Sequence, residues 1–128
     1  MGELTIISET GMFHSACRYT IGQSSSWLGF KPRTHRAPIG PGLVDTSDRT
    51  GSINHTISFA VADTTLIAAA NTVSAMYLPK TYVLGVCDCV SLSADFARQV
   101  GLAVPMVNMT PYGLILILAA ANSYTKWT

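Results

Sequence analysis

The sequence predicts an α+β domain: an antiparallel sheet with helices packed on one face. Three observations predict it. The strand-like segments, rich in β-prone residues, all end by Val61, and the segments of helical spacing all lie after it. Strands followed by helices is the order of an α+β chain. Hydrophobic residues make up 48% and charged residues 12% of 128 residues. That is enough apolar material for one core without staples and argues against disorder, so 1–128 reads as a single domain.

Leu4 to Ser8 alternates weakly and reads as an edge strand, broken at Gly11. Met12 to Ile21 is the next strand. Its geometry sets Met12, His14, Ala16 and Arg18 on one face, with Phe13, Ser15, Cys17 and Tyr19 on the other. Gly22 to Ser25 is a turn, and Ser26 to Phe30 is the returning strand, where Gly29 suggests a bulge or a close backbone approach. Lys31 to Gly51 holds three prolines, three glycines and half of the lysines and arginines (Lys31, Arg33, Arg36, Arg49). It reads as a long surface loop with a short strand at Leu43 to Asp45. Ile53 to Val61 alternates well and is a strand.

Asp63 is placed as the N-cap of a helix over Thr64 to Met76, ended by Pro79. A short apolar run, Tyr82 to Val86, leads to Cys87-Asp88-Cys89, where a second helix starts. Val90, Ala94, Ala97 and Val100 share one face of it, Leu92 and Phe96 form a row beside them, Gly101 closes it, and Pro105 lies beyond. Thr110-Pro111 is a cap with proline at the first helical position, opening a third helix over Pro111 to Ala121. That segment is too short to span a bilayer, and Met-Gly-Glu-Leu-Thr-Ile does not read as a signal peptide. Synthesis in the cytoplasm is expected, with any export left to another system. A net charge of +1 gives no reason to expect nucleic acid as a partner.

Cys89 is the candidate nucleophile. Unpaired N–H groups and the dipole at a helix start favour a negative charge, so a thiol there is expected to ionise more readily. Cys87 is less well placed, and Cys17 reads as a small buried hydrophobe. Three cysteines, two of them one residue apart, do not make a disulfide framework. A zinc site at Cys87 and Cys89 lacks the usual second ligand pair, so neither metal nor cofactor is expected. The general base would be a histidine, and His14, His35 and His55 are left open by residue type and position alone.

An ordered series of segments narrows this choice: His14-Ser15; Trp27-Leu28-Gly29-Phe30-Lys31-Pro32; the Phe59 strand and the Asp63 helix; Tyr82-Val83-Leu84; Asp88-Cys89-Val90-Ser91-Leu92; Gly101-Leu102-Ala103-Val104-Pro105; Thr110-Pro111. The series resembles a bacterial group within the NlpC/P60 superfamily of circularly permuted, papain-like cysteine hydrolases, over Gly11 to Asn122. The resemblance implies a permuted papain-like fold, Cys89 as nucleophile and His14 as base, and makes Cys87 and His55 structural. Such triads have a third, orienting residue; Ser26, His35 and Asp45 are the candidates. Members usually carry Asn before the cysteine, and here it is Asp88. A carboxylate there raises the thiol pKa unless it points away or binds a cation.

The implied activity is that of a cysteine peptidase or amidase cutting peptidoglycan stem peptide, with the N–H groups opening the Cys89 helix as oxyanion hole. Small domains of this kind resemble toxins delivered by type VI secretion to a target periplasm, with an immunity protein as a candidate partner, or phage lytic proteins. Two rival expectations stand beside it. One is a lipid acyl hydrolase or acyltransferase of the lecithin:retinol acyltransferase type. The other is a binding or structural module that kept the fold and lost the activity.

Overall fold

The computed structural model describes residues 1–9, 14–104 and 110–128. Among these the chain forms β1 (Gly2–Glu9), β2 (Ser15–Ile21), β3 (Ser24–Pro32), β4 (Ile39–Asp45), a 3₁₀ turn (Thr50–Ser52), β5 (Ile53–Val61), α1 (Asp63–Tyr77), β6 (Thr81–Val83), α2 (Cys89–Gln99), α3 (Pro111–Ala121) and β7 (Lys126–Trp127). The strands make one sheet in the order β6-β4-β3-β2-β1-β5-β7, every pairing antiparallel. The α+β class is therefore observed.

Register explains the core. Ile6 pairs with Cys17 and Ile57, Leu4 with Tyr19 and Phe59, and Cys17 with Leu28, so these side chains share one face. Leu66 and Val73 of α1, Leu92 and Phe96 of α2, and Leu114, Ile115 and Leu118 of α3 join them in one buried cluster. The face assignment within β2 holds for its described residues. Ser15 meets Ser93 of α2 at 2.7 Å and Tyr19 meets the Phe96 ring, whereas Arg18 lies over Trp27 on the opposite face.

Several boundaries differ from expectation. Leu4 to Ser8 belongs to a central strand between β2 and β5, not an edge. Thr5 and Ile7 are buried as well as Leu4 and Ile6, and burial on both faces removes the polar alternation that marks a half-exposed strand. The predicted loop from Lys31 to Gly51 is cut by β3, which continues to Pro32, and by β4, which starts at Ile39. Strand pairing holds β4 despite its glycines and Pro41. Gly42 is required there, because a Cβ would overlap the Phe30 ring and stand 2.8 Å from the Lys80 carbonyl oxygen. Gly29 makes no bulge; it pairs in register with Ala16 and Asp45. Asp63 is the first residue of α1 rather than its cap, and Ala62 occupies the cap position.

α2 and α3 begin where the sequence places them, with Asp88 and Thr110 as caps and Pro111 opening α3. Gly101, at φ +92°, ends α2: its N–H donates to Arg98 and the Leu102 N–H to Ala97, the reciprocal pair of a Schellman motif. Gly11 and the start of the predicted strand at Met12 and Phe13 lie outside the described residues, as does Pro105. No described helix is long and apolar enough to cross a membrane.

Candidate active site

The start of α2 is built by Asp88. Its backbone is extended, and Oδ1 accepts from the Val90 N–H at 3.0 Å and the Ser91 N–H at 3.1 Å. Ser91 Oγ in turn accepts from the Asp88 N–H at 3.1 Å, closing a capping box. The second oxygen, Oδ2, accepts from the Gly85 N–H at 2.9 Å. Gly85 sits at φ +84° in the turn before the helix, so one carboxylate ties that turn to the first turn of α2. The side chain is fully buried and engaged with backbone donors.

Cys89, the first residue of α2, has no exposed surface. It receives a backbone hydrogen bond from Ser15, and the Tyr82 side chain hydrogen-bonds with it. Its ionisation runs against the sequence-based expectation. Burial pushes the thiol up to about 12, with the Asp88 charge adding to the rise, and the bonds from Ser15 and the helix start only partly oppose it. The helix start is outweighed because a thiolate there would lose its hydration. Two of the expected oxyanion donors, the Val90 and Ser91 N–H groups, are taken by Asp88, and the Val90 and Cys89 N–H groups also bond the sulfur.

His14 directly precedes Ser15, so the two candidates lie at the same end of the sheet. Strand alternation, however, sets the His14 side chain with Glu9 and Gly29 on the face away from α2, while Cys89 lies in the core on the α2 face. The His14 ring is mostly buried, over Gly29, where a Cβ would lie 3.8 Å from Nε2. Burial lowers its pKa; Glu9 and Asp45 pull it back up, and Arg49 and Lys31 push it down. The ring is neutral at pH 7 and able to accept a proton. The groups that weigh most on His14 are thus Glu9, Arg49, Asp45 and Lys31, and those on Cys89 are Ser15, Asp88 and the helix start; neither residue is among the other's.

Glu9 is the residue that sequence reasoning missed. It lies across the hairpin from His14, with its N–H donating to the His14 carbonyl at 3.1 Å. Its side chain is wholly buried, and Oε2 stands 3.0 Å from His14 Nε2. The ring N–H is not aligned with that oxygen, so the contact is electrostatic rather than a formed hydrogen bond. Oε1 accepts from Arg49, at 3.1 Å to Nε and 2.7 Å to Nη2. The missed signal was the pairing: β1 and β2 run antiparallel as neighbours, which makes Glu9 and His14 cross-strand partners at the end of the ladder.

The other candidates separate. Asp45 is near His14 and also 3.5 Å from Lys31; burial would raise its carboxyl, but hydrogen bonds from Ser47 and the Lys31 charge hold it below the ordinary value. Ser26 is exposed and pairs with Tyr19, well along β3 from His14. His55, in the same row of the sheet as Ser8 and Ser15, stacks on Tyr112 of α3, the ring centroids 4.1 Å apart. Cys87 is half-buried, with its thiol raised chiefly by burial. Among the described residues no group of three or more His, Cys, Asp or Glu could hold a metal ion.

A pocket of about 380 Å³ opens at His14. Lys31, His35, Arg36 and Arg49 give it a basic wall, and Tyr82 and Leu84 an apolar one. Tyr82 stands between this space and Cys89, since it lines the one and bonds to the other. Comparisons with protein-family models, curated proteins and solved structures give no match for this chain.

Proposed function

We propose that this protein is a cysteine hydrolase that cleaves an amide bond, with Cys89 as nucleophile and His14 as base, and peptidoglycan stem peptide as its substrate class. The observation that supports the reading is the cavity at His14: Tyr82 lines it and hydrogen-bonds the Cys89 thiol, so one side chain separates the base from the nucleophile. The thiol is protonated at rest, so the proton passes from Sγ to His14 as the sulfur–carbon bond forms rather than beforehand. The Cys89 N–H, which bonds the sulfur at rest, turns to the oxyanion. His14 then returns the proton to the leaving amine, and water releases the acid from the thioester. Substrate entry requires Tyr82 to move aside. The basic wall of the pocket suits the carboxylates of a stem peptide. Such an enzyme would act as an antibacterial effector or a lytic protein.

A lipid acyl hydrolase is the second reading. Leu84, which lines the pocket, is 47% exposed, an apolar edge that suits an acyl chain.

Digestion of purified peptidoglycan, read by mass spectrometry, tests the first reading. New fragments are expected with wild type and not with Cys89→Ala or His14→Ala. Fatty-acid release from phospholipid vesicles, with peptidoglycan left intact, would replace it with the second. Inertness on both substrates would leave a binding module.

A further inference from the structure

We infer that Glu9 is the positioning residue of the site, and that Arg49 shares its carboxylate so that His14 is oriented without being held in its protonated form. The inference rests on His14 being the base of the proposed hydrolase. Its grounds are geometric. Glu9 and His14 face each other across the hairpin mouth, so register alone brings their side chains together. The carboxylate is wholly buried and divided: Oε2 faces His14 Nε2 at 3.0 Å, and Oε1 is gripped by two nitrogens of Arg49.

A buried carboxylate against an imidazole would normally hold the ring as a cation, because the unpaired negative charge is costly to bury. A cationic ring cannot accept a proton. Arg49 supplies the countercharge instead. The charged groups facing the ring are Glu9 from β1, Lys31 from β3, Asp45 from β4 and Arg49 before the 3₁₀ turn. They are two anions and two cations, paired as Glu9–Arg49 and Lys31–Asp45. The ring therefore sits in a balanced shell, and burial decides for the neutral form. The carboxylate 3.0 Å from Nε2 favours the tautomer with the proton on Nε2, which leaves Nδ1 to act as base once the ring N–H aligns with Glu9.

The test is an NMR titration of the protein labelled with ¹⁵N and ¹³C in histidine, on wild type, Arg49→Gln and Glu9→Gln. Wild-type ¹⁵N shifts should show the Nε2–H tautomer. In Arg49→Gln the His14 pKa should rise by about one unit or more, as expected for an ion pair no longer neutralised. In Glu9→Gln it should fall and the tautomers should mix. Arg49→Lys, which keeps the charge, should restore the wild-type pKa and serves if Glu9→Gln does not fold. An unchanged His14 pKa in folded Arg49→Gln, or an Nδ1–H tautomer in wild type, would overturn the inference. The two readings fail separately. Shifts as expected in a protein that digests nothing would keep the positioning and remove the hydrolase; digestion that needs Cys89 with an unmoved His14 pKa would do the reverse.

Discussion

Two helices of this chain have an aspartate at their start, and the two carboxylates meet opposite fates. Asp88 precedes α2 with an extended backbone, accepts from three backbone N–H groups and is fully buried. Asp63 is one position further along, already inside α1, and makes no capping bond. Its Oδ1 is buried without a hydrogen-bond partner, close enough that a Cβ on Gly2 would lie 2.8 Å away. A single residue of phase separates them. At the cap position a side chain can fold back onto the N–H groups of the first turn; from the first helical position it cannot. The helix with the strong start is the one that carries Cys89.

Asp88→Ala should break this contrast most. It removes a cap worth about 1–2 kcal/mol and the tie to Gly85 worth about another 1 kcal/mol, so urea unfolding should show a loss of about 2–3 kcal/mol. Asp88→Asn sharpens it. The amide oxygen can still cap Val90 and Ser91, but the amide nitrogen cannot accept from Gly85, so a loss of about 1 kcal/mol is expected, with faster hydrogen exchange at Gly85. The same variant bears on the site, because removing the Asp88 charge takes away one cause of the raised Cys89 thiol. Cys89 alkylation by iodoacetamide in a Cys17→Ala, Cys87→Ala background should be slow in the parent until well above pH 9, and its pH midpoint should be lower in the Asn variant. The smallest effect belongs to the other helix. Asp63→Ala should change stability by about 0.5 kcal/mol or less, the dipole contribution being offset by release of an unpaired buried oxygen.

His14 gives the pH dependence of the same end of the sheet. Its folded pKa lies below the ordinary 6.5, so the unfolded chain takes up the proton first. This part of the stability is fully present above about pH 6.5 and is lost as the pH falls through the folded value. Thermal melts between pH 7 and pH 5 should show a declining midpoint that His14→Gln flattens.

The elements that were legible in the sequence are those made by neighbours in the chain. Asp88, Ser91, Thr110, Pro111 and Gly101 set the ends of α2 and α3 through contacts within a few residues. The alternation from Ile53 to Val61 is that of a strand in any surroundings. Cys89 could be placed at a helix start for the same reason. Tertiary structure alone decided the rest. β1 is central because β2 and β5 both pair with it, and burial on both faces erased the pattern that would have announced it. β4 forms through pairing with β3 and β6 against its own glycines. Glu9 reaches His14 only once the hairpin closes, and Arg49 reaches Glu9 from forty residues away. The Cys89 thiol is governed by the same distinction: a helix start is a local property that favours the thiolate, but burial is a property of the whole fold, and at this position burial is the larger effect.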